Sequence, residues 1–259
     1  MTNAATPALD DAQLREVLEL LPDVDSAELK LTIPDTLQRS AIERLGLDPL
    51  EAQIRQVYFF DTPDLTLDRH GVVVRARRVQ GRAHDTVVKL RPVVPDTLSS
   101  DLRSSASFFV EVDAMPGGFV CSASCKGRVA DNGAIREVAA GRLAARKLFS
   151  KEQRQFYAAN APEGVALDDL SMLGPIFVLK LKFGTVKIPR RLVAELWLYP
   201  DGARVMELST KCAPNEAFQA AAELRSFLGG LDLYTTDAQQ TKTRTALEFY
   251  SRELAAGQA

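Results

Sequence analysis

Five short segments of the chain carry two charged residues at positions i and i+2, with one apolar residue between them. Because side chains alternate across a β-strand, both charges project from one face and the apolar residue projects from the other. This alternation constrains the fold more than any other feature of the sequence. The segments are Glu28-Leu29-Lys30, Arg75-Ala76-Arg77, Lys89-Leu90-Arg91, Glu111-Val112-Asp113 and Lys180-Leu181-Lys182.

The predicted strands fall into two groups with a helical region between them. Alternation and β-branched or aromatic residues predict strands at 27–33, 54–60, 71–79, 85–91, 107–113, 176–183, 192–199 and 203–209. Apolar residues at helical spacing predict helices at 10–21, 35–47 and 214–228. Ser150 and Gln153 predict a capping box at the start of another helix, and Pro200-Asp201-Gly202 predicts a hairpin turn.

The amphipathic helices need an apolar surface to cover, and the apolar face of the sheet supplies one. If the helices cover that face, the charged face points elsewhere, and closure of the sheet would turn it into a charged lumen. We therefore predict an α+β fold in which helices cover a closed antiparallel β-barrel with a charged lumen. An open sheet with its charged face in solvent produces the same alternation, so that alternative stays open.

Opposite charges almost cancel over the whole chain, which has 32 Lys and Arg residues against 34 Asp and Glu residues. A chain balanced in this way has no strong field to steer it onto a nucleic acid or a membrane, so we expect neither as a partner. The N-terminus lacks a signal-peptide pattern, and no apolar run approaches the roughly 20 residues that span a bilayer. We expect a cytoplasmic protein with three free cysteine thiols; monomer and homodimer both stay open.

A lumen built from the five segments would hold more basic than acidic groups. Lys and Arg donate charge-assisted hydrogen bonds to phosphate oxygens, and carboxylates hold the Mg²⁺ that bridges to substrate phosphates. The pattern therefore indicates a site for a polyanion that carries phosphate groups. The sequence contains no Walker-type glycine loop, no Ser-His-Asp order and no dinucleotide fingerprint that would indicate another chemistry.

Taken together, these motifs resemble the CYTH family, the triphosphate tunnel metalloenzymes. The resemblance covers residues 24–250, and its most specific part is the segment YFFDTPDLTLDRHGVVVRARR at 58–78. It implies an eight-stranded tunnel that binds triphosphate-containing substrates with Mg²⁺ or Mn²⁺. Activities known in the family include inorganic triphosphatase, thiamine triphosphatase, RNA triphosphatase, class IV adenylate cyclase and polyphosphate polymerase.

The resemblance and the charge pattern together assign roles to single residues. Glu28 and Lys30 match the end of the family's ExExK motif, and Glu195 matches the first position of its late ExE strand. The predicted catalytic residues are Glu28, Lys89 and Glu111. The predicted phosphate-binding residues are Lys30, Arg75, Arg77, Lys89, Arg91, Lys180, Lys182 and Lys242. The predicted metal ligands are Glu28, Glu111, Asp113 and Glu195.

The acidic pattern of the family is incomplete in this chain. Ser26 stands where ExExK has its first glutamate, and Trp197 stands where the late ExE strand has its second. If the strand of Glu207 is the true counterpart of that strand, its second position is Ser209. The loss of an oxygen ligand from each cluster is expected to weaken Mg²⁺ binding, or to leave a metal site that is occupied only when substrate phosphates complete it.

Two functions fit this pattern. The first is a metal-dependent phosphohydrolase, or a related phosphoryl-transfer enzyme, that acts on inorganic triphosphate, a nucleoside triphosphate or thiamine triphosphate. The second is a non-catalytic module that binds polyphosphate or a nucleotide in the same tunnel, since phosphate clamping survives the loss of metal ligands. We favour the first, as a triphosphatase. We predict a tail and short helix over 1–22, one tunnel domain over 23–252, and a tail over 253–259.

Overall fold

The computed structural model describes residues 10–129, 131, 133–234 and 242–257 of the chain, with side chains described as far as residue 254. The predicted tail over residues 1–9 lies outside the described residues, as do residues 258 and 259. The described part forms an α+β structure in which helices cover one β-barrel.

Nine strands of the described part form the closed barrel. In chain order they are β1 (Ser26–Ile33), β2 (Gln53–Asp61), β3 (Val72–Val79), β4 (Asp85–Leu90), β5 (Phe108–Met115), β6 (Gly118–Arg128), β7 (Ser171–Thr185), β8 (Ile188–Leu198) and β9 (Arg204–Cys212). Around the barrel the order is β1-β5-β6-β4-β3-β2-β7-β8-β9, and β9 pairs with β1 to close the ring. The predicted closure is confirmed, and each of the eight predicted strand segments forms a strand.

Strand number and strand direction differ from the predicted eight-stranded antiparallel barrel. β1 and β5 run parallel, whereas the other eight neighbouring pairs run antiparallel. Strands in a closed ring can alternate direction all the way round only if their number is even. The ninth strand therefore makes one parallel pair a geometric necessity, and the prediction was wrong on both points for the same reason.

The ninth strand is β6, which the sequence pattern does not predict. Most of its sequence, GFVCSASCKGR, consists of small residues and lacks the dense β-branched and aromatic residues of the other strands. Its neighbours β4 and β5 pair with it along most of its length and so provide the backbone partners that hold it extended. Tertiary pairing thus overrides a weak local preference.

Eight helices of the described part lie outside the strands. They are α1 (Asp11–Leu20), α2 (Asp35–Leu45), α3 (Thr66–Arg69), α4 (Ser100–Arg103), α5 (Ala134–Ala139), α6 (Lys151–Asn160), α7 (Ala217–Gly229) and α8 (Lys242–Gly257). The predicted capping box at the start of α6 is confirmed, since Ser150 Oγ accepts the Gln153 N–H at 3.2 Å and Gln153 Oε1 accepts the Ser150 N–H at 3.0 Å. α8 includes residues 253–257, for which the sequence predicts a tail.

The apolar face of the barrel packs beneath the helices, as predicted. On β1, the outward-facing Ala27, Leu29 and Leu31 are buried in the same cluster as residues of α1, α2 and α7. Burial of one leucine side chain contributes roughly 2 kcal/mol, so a face of this kind fixes which way each strand points. Glu28 and Lys30, between these residues, consequently face the barrel interior.

A second apolar cluster lies inside one end of the barrel. Val57 and Phe59 of β2 and Trp197 of β8 face inward there and pack against Ala246 and Leu247 of α8. The rings of Phe59 and Trp197 stack with their centroids 6.4 Å apart. We call this cluster the apolar end, because most of the charged side chains that line the lumen lie outside it.

The cysteines are free thiols, as predicted, and all three are buried. Burial raises the pKa of the Cys121 thiol to about 11, so that the group is uncharged at neutral pH.

In the part of the chain that the structure describes, no helix combines the length and the hydropathy that crossing a lipid bilayer requires.

A buried carboxylate organises the turn between β2 and β3. Asp61 accepts hydrogen bonds from the backbone N–H groups of Thr62 at 2.7 Å, Leu67 at 2.8 Å and Asp68 at 3.0 Å. These bonds tie α3 to the end of β2, and through it they set where β3 begins. The turn lies within the segment that carries the resemblance.

Gly71 joins this turn to β3 and fixes the end of β4. Its φ is +70°, and its carbonyl oxygen accepts the Arg91 N–H at 2.8 Å. A Cβ at this position would lie 2.5 Å from the carbonyl oxygen of Arg91. Only glycine fits both the conformation and the space.

We expect Gly71→Ala to lower the free energy of unfolding by about 1–3 kcal/mol more than Gly81→Ala, because only the first substitution adds a clash. Gly81 is the matched control, since its φ is +67° and no atom lies within 4 Å of a Cβ built there. Left-handed backbone alone costs roughly 1–2 kcal/mol at either position. Urea denaturation of both variants measures the difference. Equal losses would show that the close approach of Arg91 does not constrain this position.

Candidate anion-binding tunnel

The barrel encloses a cavity of about 560 Å³, which we call the tunnel. All nine strands and α8 contribute to its lining. Among the described residues, eleven basic side chains line it against six acidic ones, so the lumen carries a positive excess that the whole chain lacks. The basic residues are Lys30, Arg55, Arg75, Arg77, Lys89, Arg91, Lys126, Lys180, Lys211, Lys242 and Arg244. The acidic residues are Glu28, Asp68, Glu111, Asp113, Glu195 and Glu207.

Seven of the eight predicted phosphate-binding residues line the tunnel, and Lys182 does not. Lys180 and Lys182 share a face of β7, as the pattern predicts. β2 begins at Gln53, however, and Gln53 pairs with Lys180, so β7 continues past the rim of the barrel at Lys182. Lys182 is consequently exposed. All four predicted metal ligands face the tunnel.

The charges divide the barrel wall into two sectors. Four neighbouring strands, β8, β9, β1 and β5, form the acidic sector, whose carboxylates are Glu195, Glu207, Glu28, Glu111 and Asp113. The other five strands, β6, β4, β3, β2 and β7, form the basic sector, whose cations are Lys126, Lys89, Arg75, Arg77, Arg55 and Lys180. Arg91 follows directly after β4.

Asp113 lies at the centre of a group of three cations. Its carboxylate is 2.7 Å from Lys30 Nζ, 3.2 Å from Arg91 Nη2 and 3.5 Å from Lys89 Nζ. Burial opposes the charge of Asp113, but Lys89, Lys30 and Arg91 outweigh it and hold the pKa of this carboxyl well below its usual value. Burial of Lys89 outweighs the attraction of Asp113, and the pKa of Lys89 is lowered. One carboxylate therefore neutralises these cations only in part.

Glu195 and Glu207 form the other carboxylate group of the acidic sector. They stand opposite each other in the β8–β9 pair, and the ammonium group of Lys242 contacts both, at 2.7 Å from Glu207 Oε1. Glu195 also accepts hydrogen bonds from Lys180 at 2.8 Å and from the indole N–H of Trp197 at 3.2 Å. Burial opposes its charge, but Lys242 and Lys180 outweigh burial, and the pKa of Glu195 falls well below its usual value.

Glu111 and Glu28 complete the acidic sector. Lys211 contacts Glu111, and Lys126 lies 3.4 Å from the same oxygen. Glu28 pairs with Lys30 at 3.2 Å, and 31% of its side chain is exposed to the tunnel solvent. Glu28 is thus the least constrained of the five carboxylates in this sector.

Three arginines cluster on the opposite wall, and they differ in how they are neutralised. Arg77 binds Asp85 through two hydrogen bonds of 2.8 and 3.0 Å. Arg55 donates to the uncharged amide oxygen of Gln53 at 2.7 and 3.1 Å. Arg75 forms no ion pair with any described carboxylate, and its buried Nε has no hydrogen-bond partner.

Arg75 lacks an ion pair with a described carboxylate, and its neighbours on the adjoining strands are apolar. The register places it beside Phe59 of β2 and Val87 of β4, at the border of the apolar end. Burial, and then the proximity of Arg77, lower the pKa of the Arg75 guanidinium to about 9. An anion placed beside this group would relieve both effects.

The carboxylates of the acidic sector do not fit a resident divalent metal. Mg²⁺ requires oxygen ligands at roughly 2.0–2.1 Å in near-octahedral geometry. Each of the five carboxylates instead has a lysine nitrogen within 3.2 Å. Within the described residues, no three His, Cys, Asp or Glu side chains are placed to hold a metal ion. A divalent cation would have to displace ammonium groups, so the predicted metal ligands stay a prediction that this donor set does not favour.

Several residues of the lining escaped the sequence-based assignment. Arg55 shares an inward face with Val57 and Phe59, so its own i+2 neighbour is apolar and no charged pair marks it. Lys126 lies on β6, the strand that was not predicted. Lys211 of β9 contacts Glu111 of β5, with β1 between the two strands. The alternation of side chains along β2 is by itself enough to place Arg55 on the same face as Val57 and Phe59.

Comparison with known proteins shows the fold and not the family. No protein-family model matches the chain, and no curated protein matches it. A putative adenylate cyclase from Bacillus halodurans aligns with a TM-score of 0.58 and 12% identity over 84% of this chain and 95% of that one. A putative adenylyl cyclase from Hippeastrum, HpAC1, described as having a dominant triphosphatase activity, aligns with a TM-score of 0.60 and 18% identity over 84% and 92%. The chain therefore shares the fold of these two proteins.

We expect Asp113→Asn to lower the free energy of unfolding by about 3 kcal/mol at pH 7, because it leaves three cations without their anion. The lowered pKa of Asp113 means that its stabilising effect is complete above the unfolded-state value of 3.8 and declines as the pH falls through the folded-state value. The gap between wild type and variant should therefore shrink by about 1 kcal/mol between pH 7 and pH 3.

Urea denaturation from pH 7 to pH 3 measures this gap. Asp101→Asn, at an exposed position of α4, is the matched control and should show only a small gap. A gap for Asp113→Asn that is unchanged at pH 3 would show that the three cations do not stabilise the Asp113 carboxylate.

Proposed function

We propose that the tunnel binds the phosphate chain of a linear triphosphate, or of a small molecule that carries one. The observation that carries this proposal is Arg75, a guanidinium in the tunnel wall with no described anionic partner. An uncompensated charge in such a place is costly to the folded protein. A bound anion would offset this cost, so the wall is built to receive one.

The chemistry of the basic sector suits phosphate in particular. Arginine presents its donors in a planar fork that matches two oxygens of a phosphate group. Burial also lowers the pKa of Lys89 and of Lys180, in spite of their neighbouring carboxylates, so these ammonium groups are only partly neutralised. Several cations that lack full compensation favour a multiply charged ligand over a singly charged one.

The spacing of the cations favours a chain of phosphates over a single phosphate. Arg75 and Arg77 are two residues apart on one strand face, which corresponds to roughly 7 Å along the strand. Arg55 and Lys180 lie on the adjoining strands β2 and β7, and Lys89 lies on β4. Cations spread in this way along and around the tunnel can hold successive phosphate groups of one chain.

The shared fold supports the same substrate class. The triphosphatase activity described for HpAC1 concerns that protein, which is 18% identical to this chain. The 58–78 segment, which resembles the triphosphate tunnel metalloenzymes, includes Arg75 and Arg77, and both of these residues line the tunnel here. The resemblance in sequence and the shared fold both support the proposal of a triphosphate ligand.

We expect Arg75→Met to weaken binding of tripolyphosphate by about 10- to 100-fold, the equivalent of one or two charge-assisted hydrogen bonds. Trp197, the single tryptophan, lines the tunnel, so its fluorescence reports on binding directly. Arg103→Met, at an exposed position of α4 outside the tunnel lining, is the matched control and should bind like wild type. Equal affinities of the two variants would contradict the assignment of Arg75.

Hydrolysis of the bound chain is a second candidate function, and Glu28 is the observation that favours it. Glu28 has only Lys30 as an ion-pair partner among the described residues, and it is open to tunnel solvent. In this reaction a water oxygen bonds to the terminal phosphorus and the water proton passes to the Glu28 carboxylate. The bond between that phosphorus and its bridging oxygen breaks, and the electron pair stays on the departing diphosphate beside the arginines.

If the tunnel hydrolyses its ligand, we expect Glu28→Gln to lower phosphate release from tripolyphosphate by about 100-fold or more, because it removes the proton acceptor. Binding should change little, since the arginines remain. Glu163→Gln, in an exposed turn, is the control. Glu111→Gln tests the predicted catalytic role of Glu111 in the same assay. If the wild-type protein releases no phosphate, the tunnel binds its ligand without hydrolysing it.

A further inference from the structure

Two pairs of carboxylates in the acidic sector are arranged in the same way. Strand register places Glu28 opposite Asp113 across the parallel β1–β5 pair, and Glu195 opposite Glu207 across the β8–β9 pair. In each pair the two carboxylates project into the tunnel from directly neighbouring positions. Like charges placed opposite each other in a sheet destabilise it unless a cation lies between them.

In each pair the cation between the carboxylates is a lysine of this chain. Lys30 Nζ lies 3.2 Å from Glu28 Oε2 and 2.7 Å from Asp113 Oδ1. Lys242 Nζ lies 2.7 Å from Glu207 Oε1 and also contacts Glu195 Oε2. The chain therefore supplies from its own side chains the positive charge that a divalent cation would otherwise bring to these positions.

Lys242 lies on a helix and not on a strand of the barrel. It is the first residue of α8, and its ammonium group enters the tunnel, where it lies 5.1 Å from the centre of the Trp197 ring. Its side chain is only 17% exposed. α8 is held at the same place by Ala246 and Leu247, which pack in the apolar end. The lysine is thus fixed by the packing of a helix and not by ion pairing alone.

Both lysines are largely withdrawn from solvent, since the side chain of Lys30 is 14% exposed and that of Lys242 is 17% exposed, and each lies between two carboxylates. A metal ion could reach these carboxylates only by expelling a charged, largely desolvated ammonium group, which would then lack a partner.

We propose that Lys30 and Lys242 replace the divalent cation in this tunnel, so that the chain binds the metal-free form of a phosphate chain. This inference rests on the proposed function of the tunnel. The inference predicts the direction in which Mg²⁺ changes the affinity for the phosphate chain. Mg²⁺ chelates tripolyphosphate and neutralises part of the charge that the arginines recognise, so added Mg²⁺ weakens binding. In a site that uses the metal as a bridge, added Mg²⁺ strengthens it.

The first test uses the wild-type protein and needs no substitution. Trp197 fluorescence is titrated with tripolyphosphate in EDTA and, separately, with MgCl₂ in excess over the ligand. We expect the apparent affinity in EDTA to exceed that in MgCl₂ by about tenfold or more, because Mg²⁺ competes for the ligand. Equal or tighter binding in MgCl₂ overturns the inference and leaves the proposed function standing. Lack of binding in both buffers overturns the proposed function and the inference with it.

The second test asks whether Lys242 holds the position of a cation. Lys242→Met leaves Glu195 and Glu207 facing each other without the ammonium group, so the variant should bind Mn²⁺ alone, as measured by electron paramagnetic resonance. Wild type and Lys187→Met, an exposed control at the β7–β8 turn, should bind at least about tenfold more weakly. Mn²⁺ binding by wild type at the same affinity, or no gain in folded Lys242→Met, overturns the inference. If Lys242→Met does not fold, Lys30→Met puts the same question to Glu28 and Asp113.

Discussion

The structure depends on neutralising charges inside a closed barrel. Each strand has one charged face and one apolar face. When the apolar face is buried under helices, the charged face points into the lumen, where a charge without a partner destabilises the fold. The register solves this problem by pairing. Asp113 meets Lys30, Lys89 and Arg91, and Glu195 meets Lys180 and Lys242. The same contacts that hold the barrel wall together therefore define the chemistry of the tunnel.

The parallel pair is central to this arrangement. Nine strands cannot alternate direction around a closed ring, and the one parallel pair, β1–β5, places Glu28 opposite Asp113. β9, on the other side of β1, brings Lys211 close enough to contact Glu111. The parallel pair thus joins two strands of the acidic sector, β1 and β5, and the basic sector forms the rest of the barrel wall.

Features that depend on neighbouring residues in the sequence could be predicted, and features that depend on pairing between distant residues could not. A two-residue period is local, so it correctly placed Arg75, Arg77 and Lys89 on inward faces. Arg55 was missed because its inward neighbours, Val57 and Phe59, are apolar and belong to the apolar end. Register is not local. Two features of the register depend on residues far apart in sequence: β2 begins at Gln53 and leaves Lys182 beyond the rim, and Glu195 faces Glu207. β6 was missed for a third reason, since its pairing on both edges compensates for a composition with little strand preference.

The two walls of the tunnel differ in one physical respect that connects stability to binding. On the acidic wall every carboxylate has a lysine of the chain beside it, so this wall is complete without a ligand. On the opposite wall Arg75 is paired in register with Phe59 and forms no ion pair with a described carboxylate; burial, and then the proximity of Arg77, lower its pKa, which costs the folded protein free energy. Under the proposed function, an anion bound there recovers that free energy as affinity. The lysines of the other wall then occupy the positions that we propose they hold in place of a divalent cation.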